Sequence, residues 1–266
     1  MKADHYRAKL RTLADWDDYL LAQSGLPGPR ANLELIQAVV DEGNAALFRR
    51  YLTLTPDKAP TDSPHVFLAV CGIVGLGRLL AEGQAGALND LRRYASDPRW
   101  RAREAVAMAL QRLGDHNMGA LLRAMDSWSK GSPLEQRAAV AALCEPRLLR
   151  EAKYARRALR ILDRITLSVS RASDRKSEDF KILRKTLGYG WSVAVAALPA
   201  AGKRMIEKWF GSDDKDVIWI LRENLKKNRL LKMDTRWTRT WRKRLSSHKL
   251  VTVPASRQFA LLRAPL

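Results

Sequence analysis

Apolar residues in this chain recur at helical spacing and seldom alternate, and that periodicity constrains the fold before any other property is considered. Leu33, Ile36, Val40 and Leu47 keep the spacing in one segment, and Val106, Ala109, Leu110 and Leu113 keep it in another. Such a pattern gathers apolar side chains on one face of a helix, where strict alternation would place them on one face of a strand. Short turn signals separate the segments: Gly25-Leu-Pro-Gly-Pro29, Ser96-Asp-Pro98, Lys130-Gly-Ser-Pro133 and Gly211-Ser-Asp-Asp214. Glycine, proline and small polar residues at these points end one helix and start the next. An all-α fold of paired helices is the expectation.

The turns also introduce a recurring theme, in which an acidic or small polar residue is followed by an Arg inside a helix and then by an apolar face. Its four copies run from Asp97 to Arg103, from Gly131 to Arg137, from Asp179 to Arg184 and from Asp216 to Arg222, with Arg-to-Arg spacings of 34, 47 and 38 residues. Periods in that range belong to two-helix repeats, whose units bury their apolar faces only by stacking on neighbours. The segments resemble HEAT repeats, and the resemblance implies a helical-repeat solenoid with a concave, basic face. An ordinary non-repetitive helical domain is the other reading, since any amphipathic helix can hold an Arg. The expected organisation is a single helical domain with an atypical N-terminal cap (1–60), repeats (61–232) and a basic C-terminal helix and tail (233–266). Pro56 to Pro64 reads as a loop.

Charge is distributed unevenly over this scaffold. Residues 1–150 hold 20 Lys+Arg against 17 Asp+Glu, whereas residues 151–266 hold 28 against 11, so the second half carries +17 of the net +20. A field so concentrated draws polyanions to one side of a molecule. Nucleic acid is the first partner to expect. From Arg222 to Lys249 eleven Lys+Arg stand against only Glu223 and Asp234. Trp237 and Trp241 share a predicted helix face there, among Arg236, Arg239, Arg242, Lys243 and Arg244. Those cations, with Lys185, Lys226, Lys227 and Arg229, are candidate phosphate contacts, and an indole can pack on a sugar or an exposed base. Docking of the last helix is the alternative use of the two Trp. The Arg156, Arg157, Arg160 and Arg164 cluster is expected to extend the same surface.

Three segments carry a more specific resemblance. Lys181-Ile-Leu-Arg-Lys-Thr-Leu-Gly-Tyr189 is similar to a helix signature of the HEAT-like DNA alkylation-repair glycosylases, Trp100-Arg-Ala-Arg-Glu104 to their Trp followed four residues later by a carboxylate, and Trp128 to Val140 to their Trp, turn and Arg-bearing helix. The segments occur in the family's order and cover roughly Asp97 to Leu230. The resemblance implies duplex DNA on the concave face and excision of positively charged alkylated purines. It places Trp100 and Tyr189 against the lesion, Arg137 on the backbone and Glu104 at the catalytic carboxylate. An anion near the sugar stabilises an oxocarbenium-like transition state, and a cationic base attracts aromatic faces. The chain departs from the family at two positions, with Glu104 where the family has Asp and Tyr189 where it has Trp. Each residue also has an ordinary use: Glu104 as a solvated carboxylate, Trp100 in packing, and the theme's Arg residues, Arg103 and Arg222 above all, in tying turns together. The alternative function is a non-enzymatic helical-repeat scaffold for nucleic acid or an acidic protein.

The uncharged stretches Pro64 to Gly77 and Thr186 to Gly202 are at or below membrane-spanning length and read as core helices, so no membrane partner is expected. The glycines of the first are expected to serve close helix packing. Cys71 and Cys144 sit in apolar helical contexts suited to buried thiols, and the start from Met1 to Tyr6 has no apolar signal core, so a cytoplasmic monomer is expected. His5, His65, His116 and His248 are scattered, which indicates no metal site, and no motif indicates a cofactor.

Overall fold

The computed structural model describes residues 2–247, and every regular element among them is helical. The expected tail at 248–266 lies outside the described residues. In chain order the helices are α1 (Lys2–Leu10), α2 (Asp17–Gln23), α3 (Leu33–Glu42), α4 (Ala45–Leu52), α5 (Val66–Ala81), α6 (Ala87–Tyr94), α7 (Trp100–His116) and α8 (Met118–Trp128). After them come α9 (Pro133–Leu143), a short 3-10 turn (Pro146–Leu149), α10 (Ala152–Ser170), α11 (Glu178–Ala197), α12 (Pro199–Glu207), α13 (Lys215–Leu225), α14 (Asn228–Met233) and α15 (Thr235–Ser247).

The turn chemistry shows why these segments start where they do. Ser132 and Glu135 form a reciprocal capping box at the start of α9, with Pro133 at the position where a missing N–H costs nothing. Asp214 caps α13 by accepting from the Asp216 and Val217 N–H groups. Two stretches that read as continuous are each two helices. Gly43 leaves α3 with extended backbone, and Asn44 then caps α4 through the Leu47 N–H, so Leu33 to Leu47 is interrupted. Pro199 lacks an N–H to continue α11, and it opens α12 instead.

The odd-numbered helices pack in series: α5 on α7, α7 on α9, α9 on α11, α11 on α13, and α13 on α15. Around them α6 packs on α7, α8 on α9 and α10, and α12 on α10 and α11. At the N-terminal end α1 packs on α3, and α3 and α4 pack on α5, within one continuous apolar core. The loop from Pro56 to Pro64 leads into α5, which is buried along almost its whole length. No helix among the described residues is long and apolar enough to cross a membrane. Cys71 and Cys144 are buried free thiols, and burial pushes the Cys144 thiol up to about 12.

Gly77 permits a close approach of two backbones in this core, since a Cβ there would lie 2.4 Å from the Ala109 carbonyl oxygen on α7. The α5 and α7 backbones therefore meet with no side chain between them. Gly77→Val is expected to force the pair apart and lower stability by about 1–3 kcal/mol or more, read as a lower urea midpoint at unchanged slope.

Three of the four theme Arg residues join neighbours in the series. Arg137 on α9 donates to the Arg103 carbonyl on α7 at 2.7 Å, Arg184 on α11 to the Asp216 carboxylate on α13 at 2.5 Å, and Arg222 on α13 to the Leu245 carbonyl on α15 at 2.6 Å. Arg103 instead closes its own turn, donating to the carbonyls of Asp97 and Pro98 at 2.6 and 2.9 Å. Asp179 and Asp216 stand in the first turns of α11 and α13, inside the helices that the sequence pattern placed after them. Burial disfavours the Asp216 charge, but hydrogen bonds from Arg184 and Arg175 outweigh it and hold the carboxyl below its ordinary value.

Candidate functional site

Where α7, α9, α11 and α13 lie side by side, they line an open cleft of about 520 Å³. Trp100, Arg103 and Glu104 enter it from the first turns of α7, and Arg137 enters from α9. Ile182, Lys185, Thr186 and Tyr189 come from α11, Trp219 and Glu223 from α13, and Lys227 follows just after α13.

Trp100 owes its position to the turn that precedes it. Asp97 and Arg99 form an ion pair whose side chains are only 5% and 3% exposed. Arg99 also donates to the carbonyls of Leu54 and Ala59 at 2.9 and 3.1 Å. These bonds lock the start of α7 to the loop before α5, so the first helical residue is held outward at a fixed angle. Trp100 is 45% exposed, with the Arg101 guanidinium 4.3 Å from its ring centroid.

Beneath it, Arg137 fixes Glu104. The family resemblance implies a DNA-backbone contact for Arg137, yet its side chain is 7% exposed and its guanidinium hydrogen-bonds the Glu104 carboxylate and the Arg103 carbonyl. Its donors are directed at α7, and its reach to a ligand runs through Glu104, which is 54% exposed. Burial, with Arg137 nearby, depresses the Arg103 guanidinium below its ordinary value.

Tyr189 is positioned from behind by Asn224. That buried side chain donates to the Leu187 carbonyl at 2.7 Å and accepts from the Ser192 N–H at 2.8 Å, gripping α11 on both sides of Tyr189. Gly188 permits the approach, because a Cβ there would sit 3.1 Å from the Trp219 ring and 3.2 Å from the Glu223 Cβ. Tyr189 itself remains 36% exposed. Desolvation raises its phenol above the ordinary range, so it presents a neutral hydroxyl. Asn224→Ala removes both of these hydrogen bonds between α13 and α11, and a loss of about 1–3 kcal/mol is expected in thermal or urea unfolding.

Comparison with known protein families, curated proteins and solved structures returns no match for the chain. Among the described residues no group of His, Cys, Asp and Glu is arranged to hold a metal ion.

The structure thus brings together Trp100, Glu104, Arg137, Lys185, Tyr189 and Lys227, which the sequence had singled out from widely separated segments. The remaining basic candidates lie beside or beyond the cleft. Lys226 pairs with Glu223 at 2.5 Å. Arg229, Arg236, Arg239 and Lys243 are exposed on α14 and α15. Arg242 donates to the Leu225 carbonyl at 2.7 Å, closing the end of α13, and Arg244 lies 5.0 Å from the Trp241 ring centroid. Trp237 and Trp241 are half-buried against Phe210, with centroid separations of 6.0 and 4.1 Å, and Trp237 donates to Glu207 at 2.6 Å. Docking of α15 is therefore the use of these two Trp. Arg164 pairs with Asp126 at 2.8 Å, while Arg156 and Arg160 face α12, away from the cleft lining. Ile182, Thr186, Trp219 and Glu223 line the cleft without having been anticipated.

Proposed function

We propose that this protein binds duplex DNA over the cleft and excises positively charged N3- or N7-alkylated purines, on a HEAT-like helical-repeat solenoid whose basic concave face contains that cleft. The observation that carries the proposal is the convergence of two exposed aromatic side chains, Trp100 and Tyr189, with a carboxylate, Glu104, in one opening. Exposed aromatic faces are suited to a cationic, unstacked base. Lys185 and Lys227 at the same opening are suited to phosphates. Serial packing of the odd-numbered helices supports the solenoid reading, since each helix of the series packs on the next.

The chemistry asks little of the protein. The bond between the sugar C1′ and the purine nitrogen breaks with its electron pair leaving on the base, which departs neutral because it began as a cation. Positive charge then develops on the sugar, where the Glu104 carboxylate stabilises it until water adds to C1′ and releases a proton. Arg137 holds that carboxylate in place, as a positioned site requires.

Duplex affinity measured by fluorescence anisotropy tests the binding step. Neutralising about four phosphates predicts a fall on the order of 10²-fold between about 50 and about 200 mM salt. Lys185→Ala with Lys227→Ala is expected to reduce the logarithmic salt slope by about two. Affinity that is absent, or indifferent to salt, would end the DNA reading. Salt-sensitive binding with no base release would select the alternative, a non-enzymatic scaffold.

A further inference from the structure

A second recess of about 350 Å³ lies between α10 and α12, and neither helix contributes to the cleft lining. Its floor is apolar, with Leu159 buried and Met205 half-buried. Exposed cations stand on both walls: Arg156 and Arg160 on α10, Arg204 on α12 and Lys208 at its C-terminal cap. Arg156, Arg160 and Arg204 pair with no carboxylate among the described residues, and Lys208 has only a 3.8 Å contact with Asp163. Four exposed cations without a close carboxylate thus flank one apolar floor.

We propose that this groove binds an acidic amphipathic helix of a partner protein. The cations on each wall are four residues apart, so successive charges stand about 6 Å apart along the helix axis. Carboxylates four residues apart on a bound helix have that same separation, and the apolar side chains between them meet the Leu159 and Met205 floor. A nucleic-acid backbone matches the charge but has no apolar face for the floor. An anionic membrane would need large apolar side chains projecting outward, whereas this floor is recessed.

The test uses the full chain and a fluorescein-labelled synthetic peptide of about 18 residues, long enough for a marginally stable helix, built from Ala, Leu and Glu. Leu is placed at helical spacing on one face, and Glu flanks that face at intervals of four. Saturable, salt-sensitive binding is expected. Arg160→Glu with Arg204→Glu should weaken it by about tenfold or more, and Met205→Gln, which keeps every charge, should weaken it as well while leaving affinity for duplex DNA unchanged. Equal affinity for a peptide of the same composition with Leu and Glu scrambled would overturn the proposal, as would peptide binding that neither variant alters. Anionic phosphatidylserine vesicles and a DNA duplex form the comparison arms. A loss of vesicle or duplex binding in the Arg160→Glu, Arg204→Glu protein, with peptide binding unmoved, would assign the groove to those ligands instead.

Discussion

Wild-type protein is expected to release free base from duplex DNA carrying an N7- or N3-alkylated purine, and Glu104→Gln to do so about 10²–10³-fold more slowly at equal DNA affinity. Gln keeps the length of the side chain and an oxygen for the Arg137 guanidinium, so the substitution removes charge with little change of shape. A carboxylate acting on a developing sugar cation is worth most in the transition state, where the cation exists, and little in the ground state. The signature is therefore a fall in single-turnover rate with the binding constant preserved. An equal rate in both proteins would show that Glu104 takes no part. Arg137→Ala supplies a second readout, because it leaves the carboxylate present but unheld. It should lower the rate less than Glu104→Gln, and a guanidinium salt added at low concentration should restore part of the loss.

The largest stability effect is expected at Asp97. With both side chains of the Asp97–Arg99 pair almost wholly buried, Asp97→Ala strands a guanidinium away from water, a change that costs about 3–5 kcal/mol. Replacing both residues together, Asp97→Leu with Arg99→Met, should recover much of that loss, because no unpaired charge is left behind. Urea denaturation of the wild type, Asp97→Leu, Arg99→Met and the double variant would give the coupling energy directly. Since the same turn aims Trp100, DNA affinity should fall in Asp97→Ala under conditions where the protein is still folded. Unchanged stability would mean that the loop before α5 rearranges to admit water at Arg99.

The helical character of the chain was legible because periodicity and turn residues agree. Asp97-Pro98, Gly131-Ser132 and Gly211 to Asp214 all sit between helices where they were expected. Trp100, Arg137 and Tyr189 were also legible as a set, each standing at a fixed offset from such a turn or within a helix signature. What the pattern hides is which helix face a neighbour covers. Trp237 and Trp241 look alike in sequence whether they meet a base or Phe210, and only the position of the turn after α12 decides between them. Asn224 reads as one polar residue in an amphipathic helix, and its grip on α11 depends on an approach that Gly188 permits thirty-six residues earlier. Trp219 becomes a cleft residue through that same approach. Nothing local in the sequence separates Arg99 from Arg103, because burial of a charged pair two residues apart depends on the distant Leu54 and Ala59 carbonyls.

The serial packing of α7, α9, α11 and α13 has a mechanical consequence. Each of these helices touches the next along one side, and the links from Arg137 and Arg184 join α7 to α9 and α11 to α13. Small changes in the angle between neighbours add along such a row, so the opening that the four helices share widens or narrows by bending the row and not by deforming any single helix. A molecule lodged across all four acts as a splint, and the stiffness it imparts reaches beyond the residues it touches.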